Sequence, residues 1–173
     1  MRLNAPNLYQ QITFGCVEAT IIQIEPTFVN INKVNGCMLF FTVEDTNGRI
    51  FHFLVSQATY VLDYVSLHEG LKCNFYYREN APLQAIEPPQ YKASVIALSD
   101  TSRSVYVGYF NQSLVNTEDN LQIRLDSSVP IVGTNNQVFP ASPANQNLVV
   151  VYDTATKSIP AQIIPLKIVV LCR

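Results

Sequence analysis

The residues that could carry out chemistry are few in this sequence. It contains two histidines, His52 and His68, and four cysteines, and no catalytic signature surrounds any of the cysteines. A Cys–His nucleophile pair would need one of those cysteines beside one of the histidines. The Gly-x-Ser-x-Gly, Walker and Gly-x-Gly-x-x-Gly motifs are absent. The sequence therefore predicts a protein that is not an enzyme.

Metal ligands are equally sparse. His68-Glu69 and Cys73 are close in the sequence, but a structural zinc site needs four nitrogen or sulfur ligands. The acidic pairs Glu44-Asp45 and Glu118-Asp119 fall in predicted turns, where Asp accepts backbone hydrogen bonds. Neither has the Asp-x-Asp-x-Asp spacing of a calcium loop. We therefore predict no cofactor and no metal.

The cysteines fall into two groups. Cys16, Cys37 and Cys73 lie inside apolar strand patterns, where a free cysteine behaves as a small hydrophobic side chain. Cys172 is one residue from the end of the sequence. It is the thiol that we expect to be accessible for an intermolecular disulfide.

Composition excludes several classes of protein. Hydrophobic residues make up 48% of the 173 residues and charged residues only 14%, which is enough apolar material for a core and argues against disorder. The net charge is −2, and the 11 lysines and arginines are scattered singly. Nucleic-acid affinity depends on neutralising several adjacent phosphates. The charge pattern therefore argues against a nucleic-acid partner.

Neither targeting nor membrane segments are evident. The first residues have no apolar region of the kind that a secretory signal contains. No apolar run approaches the roughly 20 residues that span a bilayer. The default expectation is a cytoplasmic protein without a membrane span, with association at a cell or spore surface as an alternative.

Alternation of apolar and polar residues with a period of two dominates the chain and predicts strands rather than helices. The predicted strands are residues 15–25, 27–34, 37–44, 49–55, 71–77 and 92–98, with a short helix or irregular connection at 59–68. Asn35-Gly36 predicts a two-residue hairpin turn, and residues 45–48 predict a second tight turn.

A meander, a connecting segment and two closing strands are typical of a small OB-like barrel. Residues 75–98 are echoed by residues 150–171, and residues 45–56 by residues 118–127. The sequence therefore predicts an all-β protein of two tandem, related small-barrel (OB-like) halves packed together, at residues 1–100 and 101–173. The second half is shorter, lacks an obvious first hairpin, and is expected to pack on the first.

Residues 53–98, with Gly70, Tyr76-Tyr77 and Pro88-Pro89-Gln90-Tyr91, resemble a family of uncharacterised, β-rich, OB-like proteins from clostridia and related Firmicutes. Residues 156–162 share this resemblance. The family has no known activity, so the resemblance implies a bacterial lineage and no chemistry. In a sporulating bacterium, a spore or cell-surface component would fit it.

The predicted strands 37–44 and 49–55 are apolar on both faces. Leu39, Phe41, Val43, Phe51, Phe53 and Val55 form the predicted inner face, and the opposite face carries Met38, Phe40, Ile50, His52 and Leu54. A strand that is apolar on both sides is covered on both or presents an interaction patch. The second half could cover this outer face. Otherwise these five residues are the candidate site for contact with a second copy or another protein.

A second functional hypothesis follows from the OB-like pattern. Such modules bind single-stranded nucleic acid or oligosaccharide on aromatic side chains. The tyrosines that could serve as stacking platforms are Tyr76, Tyr91, Tyr106 and Tyr109. Tyrosine on a strand is also a common packing residue. We therefore expect a structural or protein-interaction module, with ligand binding as the alternative.

Overall fold

The computed structural model describes residues 11–79, 86–100 and 102–172. Apart from one 3₁₀ turn at Leu62–Tyr64, the regular elements of this part of the chain are all strands, so the predicted all-β class is confirmed. The chain divides into two compact units. The first unit is Phe14–Ser99, and the described part of the second consists of residues 11–13, 100 and 102–172.

The first unit is a single seven-stranded sheet. Its strands are β1 (Phe14–Asn30), β2 (Lys33–Asp45), β3 (Ile50–Ser56), β4 (Tyr60–Val61), β5 (Lys72–Arg78), β6 (Gln90–Lys92) and β7 (Val95–Leu98). They are ordered β4-β7-β5-β1-β2-β3-β6. Since β4 and β6 end this order, the described strands form an open sheet and no closed barrel.

One face of this sheet forms the core of the first unit, because buried side chains recur at every second residue of β3 and at Phe41 and Val43 of β2. The predicted inner face is confirmed for Phe41, Val43, Phe51, Phe53 and Val55, all of which are buried, while Leu39 is partly buried against them. Phe75 stacks on Phe53 with ring centroids 4.8 Å apart.

The predicted hairpin turn at Asn35-Gly36 is wrong. The chain turns at Ile31 and Asn32 instead, and Asn30 pairs with Lys33 across the turn. The Asn30 side chain accepts the Asn32 backbone N–H at 3.0 Å, which supplies the turn with its own hydrogen bond. Strand β1 thus passes through Pro26, where the sequence predicted its end, and continues to Asn30.

Gly36 lies instead in an irregularity of β2. On β1, the neighbouring residues Pro26 and Thr27 pair with Leu39 and Asn35 of β2, so three residues of β2 have no partner between them. The Thr27 hydroxyl donates to the Met38 carbonyl at 2.9 Å inside this bulge. This hydrogen bond satisfies a carbonyl inside the bulge, and the β1–β2 ladder resumes beyond it. The turn preference of Asn35-Gly36 therefore does not decide where the hairpin turns.

The described part of the second unit has seven strands in two sheets. Its strands are β8 (Ser104–Phe110), β9 (Val115–Asn116), β10 (Leu121–Ile123), β11 (Ile131–Gly133), β12 (Gln146–Tyr152), β13 (Ala161–Ile163) and β14 (Lys167–Val170). One sheet has the order β11-β14-β12-β8 and the other β13-β10-β9. Phe110, Leu148, Val150, Ile163, Ile168 and Val170 are among its core residues.

The strand pairings of the two units correspond when seven is added to each strand number of the first. Five of the six ladders recur with the same direction: β1–β5 as β8–β12, β2–β3 as β9–β10, β3–β6 as β10–β13, β4–β7 as β11–β14, and β5–β7 as β12–β14. Only the ladder between the first two strands, β1–β2, has no counterpart among the ladders of residues 104–170. The second unit is therefore split at the position where the first unit is continuous.

Side-chain hydrogen bonds replace the missing ladder. The Asn111 side chain accepts the backbone N–H groups of Ser113 and Val115 at 2.9 and 3.1 Å. The buried Asn116 side chain donates to the Tyr109 carbonyl at 2.9 Å. These contacts close the connection between β8 and β9 within a few residues, so no long hairpin forms there.

Candidate functional site

The five residues of the predicted outer face lie close together on β2 and β3. Phe40 pairs with Leu54, and Thr42 pairs with His52. The rings of Phe40 and His52 have centroids 4.6 Å apart, and the Thr42 hydroxyl lies 3.3 Å from His52 Nδ1.

Met38 and Ile50 lie near opposite ends of this ladder, opposite Ser56 and Glu44. All five residues of the predicted face are half-buried. They therefore form a partly covered surface, and their contact with a partner stays a prediction.

The most exposed apolar surface of the first unit lies at the end of the β1–β2 hairpin. We call residues 27–37 the arm. Four of its apolar residues are exposed: Phe28 by 65%, Val29 by 62%, Ile31 by 93% and Val34 by 52%. Phe28 and Val34 are directly paired across the two strands. Cross-strand neighbours on one face contact one another, so Phe28 and Val34 form an exposed apolar pair, and Val29 and Ile31 lie beside this pair toward the tip.

The arm extends beyond the other strands of the sheet. Strand β5 pairs with β1 only as far as Thr20, and β3 pairs with β2 only from Met38 onward. Ile24 packs against the core, whereas Phe28, four residues farther along β1 and beyond the irregularity that follows Pro26, is exposed. The packed part of the sheet thus ends before the tip of the arm.

The edges of this hairpin carry residues that disfavour strand addition. Pro26 has no backbone N–H, and Glu25 beside it is charged. On the other strand, Lys33 follows the turn. Proline and charged side chains are the features that protect exposed sheet edges from pairing with another chain. The part of the arm available for contact is therefore its apolar face.

The cysteines differ from the sequence-based expectation. Cys73 is fully buried, and burial raises the pKa of its thiol to about 11, so it packs as a neutral side chain as predicted. The expectation is wrong for Cys16 and Cys37, which are exposed. Cys37 belongs to the arm, and Cys16 pairs with Tyr76 on the sheet face opposite the core. Cys172 is exposed as predicted, and its pairing with another chain stays a prediction.

The candidate stacking tyrosines of the first unit have packing roles. Tyr76 is buried, and Tyr91 stacks on Tyr77 with centroids 4.0 Å apart. Tyr77 in turn fills the space above Gly15, where a Cβ atom would overlap its ring. Burial, with the neighbouring Tyr91 as a smaller cause, raises the pKa of Tyr77 to about 12. The Tyr77 and Tyr91 rings are thus part of the core packing, and Tyr76 is buried on the opposite face of the sheet.

The tyrosines of the second unit also have partners. The Tyr106 hydroxyl donates to the Asp119 carboxylate at 2.5 Å, and burial followed by this hydrogen bond raises its pKa far above the ordinary value. The Tyr109 hydroxyl lies 3.4 Å from the Asn145 side-chain oxygen. The hydroxyl groups of both tyrosines thus have partners within the second unit, and stacking of a base or a sugar on either ring stays a prediction.

Of the two predicted acidic turns, the first binds backbone groups, whereas Glu118 and Asp119 accept the side-chain hydroxyls of Thr13 and Tyr106. The Asp45 carboxylate accepts the N–H groups of Asn47 and Arg49, both at 2.9 Å. His68 Nδ1 lies 2.9 Å from the carbonyl of Glu69, its neighbour. Within residues 11–79, 86–100 and 102–172, no group of three or more His, Cys, Asp or Glu side chains is placed to hold a metal ion. Nor does this part of the chain contain a helix that is long and apolar enough to cross a membrane.

Sequence reasoning missed the arm because it placed the turn four residues too late. With the turn at Asn35-Gly36, residues 27–34 form a complete predicted strand, and their apolar side chains are expected to pack against the rest of the sheet. The one indication of the true turn is that Asn30 and Asn32 flank Ile31, since asparagine favours turns through its side chain.

Comparisons with known proteins add no relative. No protein-family model matches this chain, and a search of the curated proteins found no match.

Proposed function

We propose that this chain is a non-catalytic protein-interaction module and that the arm is its contact element. The observation that carries the proposal is the concentration of four exposed apolar residues, Phe28, Val29, Ile31 and Val34, at the end of the first hairpin. A two-stranded hairpin is only marginally stable in water unless one of its faces is packed. A partner that covers this face would stabilise the arm and itself be bound.

The energetics favour such a partner. An aromatic side chain buries about 150–250 Å². Covering the exposed 65% of Phe28 would therefore contribute about 3 kcal/mol of transfer free energy at roughly 25 cal/mol per Å², from which the cost of association is subtracted. Aromatic residues that enter a desolvated contact are common among the residues that dominate binding energy. Phe28 is thus the principal anchor of the proposed contact.

The second unit supports a functional origin for the arm. We infer that the two units are related copies of one small OB-like unit, because five of the six strand ladders of the first unit recur in the second with the same direction. The second unit forms this order without a long first hairpin. The arm is therefore dispensable for the strand order, and its apolar tip calls for an explanation outside the fold. The clostridial resemblance would place such a module at a spore or cell surface.

A photo-reactive phenylalanine analogue at position 31 tests the proposal in cells that express the chain. Ile31 is 93% exposed at the tip, and Val138 and Ile159, at 81% and 88%, provide matched positions in the second unit. We expect irradiation to produce protein adducts from position 31 and none from positions 138 and 159. The absence of an adduct from position 31, or equal adducts from all three positions, would contradict the proposal.

A further inference from the structure

Two Asn-Gly sequences occur in this chain, Asn35-Gly36 in the arm and Asn47-Gly48 at the β2–β3 turn. We propose that Asn35 is a site of covalent self-modification, at which the Gly36 backbone nitrogen attacks the Asn35 carboxamide and water completes its conversion to a carboxylate. The setting of each dipeptide directs this reaction to Asn35 and protects Asn47. The proposal concerns a property of the arm other than its contacts, so it does not depend on the proposed function.

The reaction consumes one water molecule and needs no other reactant. The Gly36 nitrogen loses its proton to solvent and forms a bond to Asn35 Cγ. The bond between Cγ and Nδ2 then breaks, and Nδ2 takes up a proton and leaves as ammonia. Water opens the resulting succinimide ring at either of its two carbonyl carbons. One opening gives aspartate, and the other gives isoaspartate, in which the backbone runs through Cβ and the former backbone carbonyl becomes the carboxylate.

Neither the backbone nor the packing requires a glycine at position 36. Its φ angle lies outside the left-handed region, and an added Cβ would meet no atom within 4 Å. The other five of the six glycines have a positive φ or are closely approached by a side chain: Gly15, Gly48, Gly70, Gly108 and Gly133. Glycine in a strand is less favourable than alanine. Its one advantage at position 36 is that no Cβ hinders attack by its own nitrogen.

The arm holds the Asn35 side chain in a reactive arrangement. Asn35 Oδ1 accepts the Cys37 backbone N–H at 3.1 Å, which folds the carboxamide back toward the intervening Gly36 peptide. The same N–H donates to this oxygen as it gains negative charge during the attack, and fixed donors of this kind lower a reaction barrier. Among the described strands, Gly36 has no ladder partner on β1 or β3, so no ladder has to open for its nitrogen to approach Cγ.

Asn47-Gly48 has the opposite setting. The Gly48 N–H donates to the Asp45 carbonyl at 3.1 Å, and the N–H groups of Asn47 and Arg49 both donate to the Asp45 side chain. Attack on the Asn47 carboxamide requires the Gly48 nitrogen to lose its proton and turn away from this acceptor. The turn that holds Gly48 at a φ of 81° must therefore open first. The same dipeptide is thus reactive in the arm and protected in the turn.

The conversion changes the charge of the arm. Lys33 is the only charged residue in the sequence of the arm, so a carboxylate at position 35 cancels the formal charge of this segment. Isoaspartate adds a methylene group to the backbone just before the three residues of β2 that have no partner on β1, where the extra length is accommodated without a shift of the ladder. The chain thereby carries a slow and irreversible covalent change that needs no enzyme.

The test is peptide mapping by mass spectrometry of the purified full chain, incubated in mildly alkaline buffer with reductant. In the folded chain we expect Asn35 to convert at least about tenfold faster than Asn47, because attack at Asn47 must first break the Gly48 hydrogen bond. Isoaspartate should accompany aspartate at position 35. In urea, where neither setting persists, the two rates should become similar. Equal rates in the folded chain would overturn the proposal.

The variant Gly36→Ala tests the mechanism without disturbing the fold, because its Cβ meets no atom within 4 Å. By hindering the nitrogen, it should slow conversion at Asn35 at least about tenfold. The rate at Asn47 in the same molecule is the internal control and should not change. Circular dichroism verifies that the variant is folded. An unchanged rate at Asn35, or aspartate without isoaspartate, would show direct hydrolysis and contradict attack by the Gly36 nitrogen.

Discussion

In the first unit, β1 has 17 residues and β2 has 13, whereas the corresponding strands of the second unit, β8 and β9, have 7 and 2. The remaining strands of the two units follow the same order and the same directions. The units therefore differ chiefly in one hairpin. The second unit shows that this strand order forms without a long first hairpin, and the first unit carries that hairpin in addition.

The difference has a local cause in each unit. In the second unit, the Asn111 side chain accepts hydrogen bonds from two backbone N–H groups, and the chain turns directly after β8. In the first unit, no side chain ends β1 at the corresponding point, and the ladder continues past Pro26 through a bulge. The extension carries four exposed apolar residues, Phe28, Val29, Ile31 and Val34, and such exposure is unexpected for a hairpin needed only by the fold.

The largest expected effect on the free energy of unfolding separates the core of the first unit from the arm. Phe53→Ala should lower the free energy of unfolding by about 3–5 kcal/mol, because Phe53 is fully buried and stacked on Phe75. Phe28→Ala should change it by less than about 0.5 kcal/mol, since exposed side chains contribute little. Urea unfolding at a concentration too low for association measures both. Equal losses for the two variants would mean that the arm is packed within its own chain.

The next largest effect tests a feature that both units share. In each unit a tyrosine ring lies over a glycine: Tyr77 over Gly15 and Tyr106 over Gly108. An added Cβ would overlap the Tyr77 ring in the first case and lie 2.7 Å from Tyr106 Cε1 in the second. Gly15→Ala and Gly108→Ala should each cost about 1–3 kcal/mol of unfolding free energy because the ring must move.

Near-ultraviolet circular dichroism gives an independent reading of the same two variants. It should change most for Gly15→Ala, where the displaced ring belongs to the Tyr77–Tyr91 stack. Alanine in a strand is ordinarily more favourable than glycine. An unchanged or increased stability in either variant would therefore show that the ring does not occupy the space above that glycine.

The parts of the structure that sequence could predict are those fixed by neighbours along the chain. The period of two in β2, β3 and β5 identified the all-β class and the inner face, because alternate side chains of a strand share a face. The arm could not be predicted in this way. Its exposure depends on where β5 and β3 stop pairing with β1 and β2, at Thr20 and Met38, and those limits are set by strands distant in the sequence.

Two further errors have the same origin. Asn35-Gly36 is a strong local turn former, but the turn formed at Ile31 and Asn32, where pairing of Asn30 with Lys33 extends the ladder. Cys16 lies in a strand pattern, yet it is on the face opposite the core, because a shift of one position moves a side chain to the other face of a sheet. Whether a side chain is buried depends on the register of its strand in the sheet, and the residue type alone does not determine that register.

The smallest expected effect on stability comes from removing the arm, and it is the most direct attempt to break the comparison of the two units. Residues 27–38 would be replaced by Asn-Gly, so that Pro26 and Leu39, which pair in the native ladder, flank a two-residue hairpin turn. The first hairpin would then be short, as in the second unit. We expect a folded chain whose unfolding free energy is within about 1 kcal/mol of the natural protein, because the removed side chains are largely exposed.

The same deletion should abolish the association that the arm provides. Stability and association can therefore be measured separately on one variant. Chemical unfolding and solution mass are the two measurements, and replacement of residues 46–48 by Asn-Gly at the neighbouring β2–β3 turn is the control for hairpin shortening itself. If the arm-deleted chain does not fold while this control does, the long hairpin is part of the first unit's core. The arm would then be a structural requirement of that unit, and its apolar face would need no partner to explain it.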